Sequence, residues 1–175
     1  MKTLAPYRLT VVAVCLSVVS LFSNVSAAAA AGPTPTSAQP VIVQAFSQSD
    51  FLADTNADRV ANGIAPLQLN SQLDAAALAK AEDMVANNYW AHFRPSDGKT
   101  PWDFITEAGY NYKVAGENLA KGFRTPGGIT NAWMNSPEHR ANLLSAKYTD
   151  VGFASIYGVI DGQTVLLTVQ EFGSR

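Results

Sequence analysis

The spacing of hydrophobic positions changes twice along this chain. Apolar residues predominate from Leu9 to Phe22. From Phe51 to Leu144 they recur mostly at three and four residues, the spacing of a helix face. From Val151 onward they form strand-like runs, with Val165, Leu167 and Val169 on one side and Thr164, Leu166, Thr168 and Gln170 on the other.

Within the helical stretch, Ser49 is placed to cap a first helix with Asp50 and Asp54 near its positive end. Phe51, Leu52, Thr55, Arg59 and Val60 form its stripe, and Asn62-Gly63 ends it. Ile64 to Leu67 is an extended apolar connection. Ser71, with Asp74 at the capping-box position, opens a second helix whose face is Leu73, Ala77, Ala81, Met84 and Val85 and which runs to Asn87 or Asn88. Thr100-Pro101 starts a short third helix that Gly109 terminates. Tyr110 to Ala115 is extended and leads into Gly116-Glu117-Asn118-Leu119-Ala120. A fourth helix spans about Ile129 to Asn135, and Ser136-Pro137 restarts a fifth. Strands at Val151–Tyr157 and Thr164–Gln170 close a hairpin on Asp161-Gly162. Helices followed by a hairpin predict an α+β domain, with helices covering a three-stranded antiparallel sheet.

The first run changes the picture of where the protein goes. Lys2 and Arg8 precede it, and Val25-Ser26-Ala27 follows as a small-residue cleavage site. Residues 1–27 therefore read as a secretory signal peptide, since the run is short for a bilayer span of about 20 residues. Residues 28–48, with Gly32-Pro33-Thr34-Pro35 and Pro40, read as a Pro/Thr-rich linker, and 49–175 as one domain. The only cysteine, Cys15, lies in the apolar run behind Val14, a residue unsuited to a lipidation site. The domain thus has no disulfide and relies on its core.

Charge adds little. The chain carries 12 Lys+Arg against 14 Asp+Glu, with no basic run of the kind that grips nucleic acid. No mature cysteine and no Gly-x-Ser-x-Gly elbow offers a nucleophile.

Candidate chemistry gathers in three segments: Tyr89 to Phe93, Gly116 to Asn118 and Trp133 to Arg140. They hold both histidines and two glutamates. His92, Glu117 and His139 are the candidates for a shared polar cleft. Two imidazoles and a carboxylate are a donor set for Zn2+ with an open position for water. Glu138 is adjacent to His139 on a helix and points about 100° away, so with His139 in the cleft it reads as exposed or as acting at the helix N-terminus. A structural alternative stays open, in which Glu117 accepts backbone N–H groups, His92 partners it and His139 braces a loop. Trp90, Phe93, Trp102 and Trp133 read as core, and Arg140 and Asn142 as residues that pin backbone carbonyls.

Taken in order, Asn56-Ala57-Asp58-Arg59, Gly63 to Leu67, His92, Gly116-Glu117-Asn118-Leu119-Ala120, Trp133-Met134-Asn135-Ser136-Pro137-Glu138-His139-Arg140 and Tyr148-Thr149-Asp150-Val151-Gly152 resemble the CAP superfamily. This is the group of cysteine-rich secretory, antigen 5 and pathogenesis-related class 1 proteins, and the match is to its disulfide-free bacterial branch. The resemblance implies an α-β-α sandwich, secretion, and a cleft with two His and two Glu that in some members binds zinc. His92 and Glu117 match that pattern. Ser136 and Lys147 stand where the second Glu and second His are expected, and His139 offers a replacement. Family members include lipid and sterol binders. The resemblance therefore implies a binding module at or outside the cell envelope, with an envelope component or small apolar, lipid-like ligand as partner, and with neither nucleic acid nor a membrane span. Two alternatives are a peptidase-like metal-dependent hydrolase using His92, Glu117 and His139, and a wall-associated structural protein.

Overall fold

A computed structural model describes residues 44–175. The expected signal peptide, most of the linker and the Val41–Val43 segment lie outside the described residues. The elements run α1 (Gln48–Ala61), β1 (Gln68–Leu69), α2 (Ser71–Ala86), α3 (Pro101–Glu107), β2 (Val114–Lys121), α4 (Pro126–Met134), α5 (Pro137–Leu143), β3 (Asp150–Ile160) and β4 (Gln163–Ser174).

Strands β3 and β4 form the expected hairpin. Asp161 and Gly162 both take positive φ, 51° and 73°, which suits the right-handed twist of the strands they join. β2 runs antiparallel to β4. The sheet differs from the three-stranded antiparallel expectation: β1 adds a fourth strand, parallel to β3, giving the order β1-β3-β4-β2. Both β1 residues are exposed, so no alternation marks this short strand in the sequence.

Alternation along β4 sorts the two layers. Leu167 and Val169 pack with Ala77, Ala81 and Met84 of α2, while Phe172 faces Phe51, Trp133 and Leu143 on α1, α4 and α5. The result is an α-β-α sandwich. On the α2 face, alanines let the helix backbone press onto the sheet, and a Cβ on Gly152 would overlap the main chain of Leu73. On the other face, rings do the packing. Phe51 stacks on Phe153 at 5.2 Å and Tyr148 on Phe172 at 5.1 Å.

Three helices begin with Thr or Ser before Pro. Thr100 caps α3 in a full capping box with Asp103, and Thr125 caps α4 through Gly128 N–H. α4 starts three residues before the expected Ile129, because the cap and Pro126 outweigh the poor helix propensity of Gly127 and Gly128. Two caps shift by one or two residues. Ser47 rather than Ser49 caps α1, and Asn70 rather than Ser71 caps α2. Asp74 leaves the capping role to accept the N–H of Phe153 at 2.9 Å, tying α2 to β3. Upstream of α1, Ala45 N–H donates to Ser155 O, so ordered contacts with β3 begin before the helix.

Two buried cations hold the loops. Arg59 is 1% exposed and donates to the carbonyls of Ala65, Leu143, Ser145 and Tyr148. Lys80, fully buried on the other face, donates to Tyr89 Oη at 3.1 Å, Ala91 O at 2.9 Å and His92 O at 2.7 Å. Burial lowers both pKa values. Each charged group is met by several acceptors, which is how such groups are tolerated in a core.

Candidate functional site

The site is built on β2, the edge strand next to β4. Gly122 N–H donates to Leu166 O, in register with the β2–β4 pairing, so even-numbered residues of β2 are the hydrogen-bonded pairs. The odd-numbered residues turn their carbonyls outward, and three side chains cover them. Tyr148 Oη donates to Ala115 O, Asn142 Nδ2 to Glu117 O and Trp133 Nε1 to Leu119 O, at 3.2, 3.1 and 3.1 Å. A free strand edge is closed to pairing, and the α4–α5 layer is fixed to it.

The same register decides the chemistry. Glu117 and Glu171 face each other as a non-hydrogen-bonded pair, the kind in which side chains come closest. Both are buried. Glu117 Oε1 lies 2.6 Å from His92 Nδ1. Glu117 Oε2 and both Glu171 oxygens have no N–H or O–H donor among the described residues unless one carboxyl keeps a proton. Burial, followed by the charge of Glu117, pushes Glu171 well above the usual carboxylate range. A proton retained on Glu171 would pair one of its oxygens with Glu117 Oε2 and leave its other oxygen without a donor.

His92 is fixed at both ends. Lys80 holds its carbonyl, and Glu117 holds its ring, whose side chain is 50% exposed. The hydrogen bond to Glu117 raises the pKa of His92 against the opposing effect of burial. His139 behaves oppositely: burial and the charge of His92 lower its pKa. The Nδ1 of His139 sits 2.7 Å from Ser136 Oγ, so Ser136 orients the imidazole instead of capping α5. Glu138 and Lys147 are exposed.

A cleft of about 320 Å³ opens here, between His92, Phe93 and Trp102 on one side and Asn142 and Tyr148 on the other, with Gly116 and Glu117 as floor. Gly116 is required, because a Cβ there would overlap the Tyr148 hydroxyl. Asn142 also donates to Asn118 Oδ1 at 2.9 Å, and Asn118 donates to Gln170 Oε1 at 3.1 Å.

The structure thus brings His92 and Glu117 into contact and leaves His139 apart from their bond. Glu117 is an odd-numbered residue of β2 facing the α2 layer, whereas α5 packs on the even-numbered side, where Asn118 Nδ2 donates to His139 O. The donor set expected for Zn2+ does not fit. His92 Nδ1 and Glu117 Oε1 are spent on each other, and among the described residues no group of three or more His, Cys, Asp or Glu is placed to hold a metal ion. The aromatics also divide differently from expectation. Trp133 is core at 2% exposure, while Phe93 is 55% exposed and Trp102 lines the cleft. Asn142 pins a carbonyl as expected, but Arg140 is exposed and lies over a surface groove between α4 and α5. Lys80, Arg59 and Glu171 escaped the sequence reading as site-forming residues. A signal exists: Lys80 falls on the Leu73–Ala77–Ala81–Met84 stripe, and Glu171 continues the face of Val165, Leu167 and Val169.

Residues 52–171 match the model of the cysteine-rich secretory protein family, CAP. The chain belongs to this family. The CAP domain is 42% identical over 117 residues to Bacillus subtilis YkwD, a match covering 67% of this chain and 45% of YkwD. It is 33% identical over 110 residues to the B. subtilis membrane protein YlbC, covering 63% of this chain and 32% of YlbC. The match therefore spans less than half of either relative. Among solved structures, an extracellular SCP-domain protein of Bacillus anthracis aligns with TM-score 0.59 and 29% identity over 73% of this chain and 40% of that one. An outer surface protein of Borrelia burgdorferi shares the fold, with TM-score 0.63 and 21% identity over 77% of this chain and 98% of that one. No helix among the described residues is long and apolar enough to cross a membrane.

Proposed function

We propose that the protein is exported and acts as a binding module at the cell envelope, with the β2-edge cleft as its ligand site. The observation that carries this reading is the way His92 is held. Its backbone is clamped by Lys80, its Nδ1 is committed to Glu117, and its remaining ring edge is presented to an open cleft. This is a fixed recognition group whose neighbours include no Ser, Thr or Cys nucleophile in the cleft lining. The basic and apolar N-terminal run, and the extracellular and outer-surface descriptions of the two structural relatives, support export. The hydrolase alternative needs a metal set that the residues do not form, so no reaction step is assigned to it.

The test uses the full chain and a washed envelope fraction. Binding should be saturable and fall at least about tenfold in a His92→Ala/Phe93→Ala double variant, the loss of about 1.4 kcal/mol. Binding of the double variant equal to that of the parent sinks the reading, as does chelator-sensitive hydrolysis of envelope peptides by the purified chain.

A further inference from the structure

The composition of the cleft narrows the ligand, on the reading that the cleft is the ligand site. One wall is aromatic. Phe93 is 55% exposed, and the partly buried Trp102 has its ring 6.3 Å from that of Tyr112, itself 36% exposed. The lining includes no Leu, Ile, Val or Met. Asn142 and Tyr148 on the other wall and Glu117 on the floor bring polar groups, His92 adds an imidazole beside the rings, and Pro101, Ala115 and Gly116 complete the lining.

A hydrocarbon tail would match only the aromatic side and would cover the second ring nitrogen of His92 without giving it a partner, which costs binding energy. A pyranose ring matches both sides. One face of the ring carries C–H groups that lie flat on an aromatic ring, and its rim carries hydroxyls that donate and accept. Aromatic side chains present rigid, wide contact area at low entropy cost because only two torsions must be fixed. Tyr112 lies outside the lining but next to Trp102, so the platform continues beyond a single ring. The volume, about 320 Å³, falls at the small end of the roughly 300–1,000 Å³ typical of ligand sites, which suits a short stretch of chain in an open groove.

The geometry points to a glycan chain as the ligand: one sugar ring stacks on the Phe93–Trp102 wall, Tyr112 extends the platform to the next, and a hydroxyl bonds the second ring nitrogen of His92, donating to the neutral ring or accepting from the protonated one. The amide of Asn142 stays with β2 and Asn118, so it shapes the groove and leaves the direct hydrogen bond to His92.

The probes are purified peptidoglycan sacculi, as an insoluble glycan, and phosphatidylglycerol vesicles, as a lipid surface, each incubated with the full chain and sedimented. The chain should co-sediment with sacculi and remain free of vesicles. Trp102→Ala and Phe93→Ala should each weaken sacculus binding about tenfold, and Trp102→Phe should restore most of it, because a ring face is what the sugar needs. Tyr157→Ala removes a ring that is 68% exposed near the hairpin tip and should change nothing. Thermal unfolding of each variant establishes that the domain is folded, and Phe93, being exposed, can be removed without opening the core. Sacculus binding that ignores Trp102→Ala and Phe93→Ala overturns the glycan inference. Capture by vesicles, lost on the same substitutions, overturns it too but leaves the cleft as a binding site. Envelope binding indifferent to every cleft substitution overturns both readings.

Discussion

Arg59 and Lys80 sit on opposite faces of one sheet, both buried, and each fastens one wall of the cleft. Arg59 spreads its planar fork over four carbonyls and holds the segment from Leu143 to Tyr148. Lys80 is a compact charge with three donors, and it holds the turn from Tyr89 to His92. Their surroundings differ. Arg59 is met by carbonyl dipoles, while Lys80 also lies within the field of Glu117, Glu171 and Asp83. The difference follows from geometry: a guanidinium can satisfy several loops at once, whereas an ammonium near an acidic pair both orders a loop and balances charge. In a domain without disulfides, these two side chains do from inside what a cross-link between loops would do from outside.

The largest expected effect is on the Arg59 side. Arg59→Met keeps the apolar stem but leaves four carbonyls without their donor, and it should cost about 4 kcal/mol in denaturant unfolding, at the upper end for a single substitution. A cost near that of a surface arginine would show that water replaces the fork. Lys80→Met should cost about 3 kcal/mol, because it uncovers the Ala91 and His92 carbonyls and removes the cation facing the acidic pair. The double variant Lys80→Met/Glu171→Leu should recover part of that loss. Strict additivity of the two costs would mean that Lys80 and Glu171 do not interact.

Gly116→Ala touches the floor between the walls. Its Cβ must displace the Tyr148 hydroxyl, so we expect a loss of about 1–3 kcal/mol together with a weakened Tyr148–Ala115 hydrogen bond, visible as faster amide exchange along β2.

The smallest effects are in pH dependence. Glu171 and His92 both have folded pKa values raised above their unfolded values of 4.5 and 6.5. Each therefore contributes stability that is complete below its unfolded value and is lost as pH rises through the folded one. Glu171→Gln keeps an N–H to offer Glu117 and should change stability at acid pH by about 1 kcal/mol or less, while removing the decline that begins above 4.5. His92→Ala should flatten only the part above 6.5, and weakly, because the ring is half exposed. His139 runs the other way: its lowered pKa costs stability as pH falls below 6.5. Melting curves from about pH 5 to about pH 9 separate the three slopes, and an unchanged alkaline slope in Glu171→Gln would sink the shared-proton account.

Local chemistry was legible where it acts through neighbours in the chain. Thr100-Pro101 and Ser136-Pro137 marked helix starts, Asp161-Gly162 marked the hairpin, and Gly116-Glu117-Asn118 marked one of the three segments where candidate chemistry gathers. β1 was not legible, because a two-residue strand carries no period. The pairing of His92 with Glu117 could be suspected from their aromatic and glycine-marked settings. That His139 bonds Ser136 and not that pair could not, because it depends on how α5 packs against β2.

By itself, then, the sequence determined most of the helix and strand content, the family and the residue types gathered near the cleft, since caps, turns and periodicity are properties of short segments. Only the tertiary structure decided which of those residues share a site. Strand register put Glu171 opposite Glu117, and the packing of α5 left His139 outside the His92–Glu117 bond, oriented by Ser136. The burial of Lys80 and Arg59 turned two ordinary helix cations into the fasteners of the cleft walls. Each of these outcomes is set by contacts between segments distant in sequence, where a one-residue change in register would bring different side chains together.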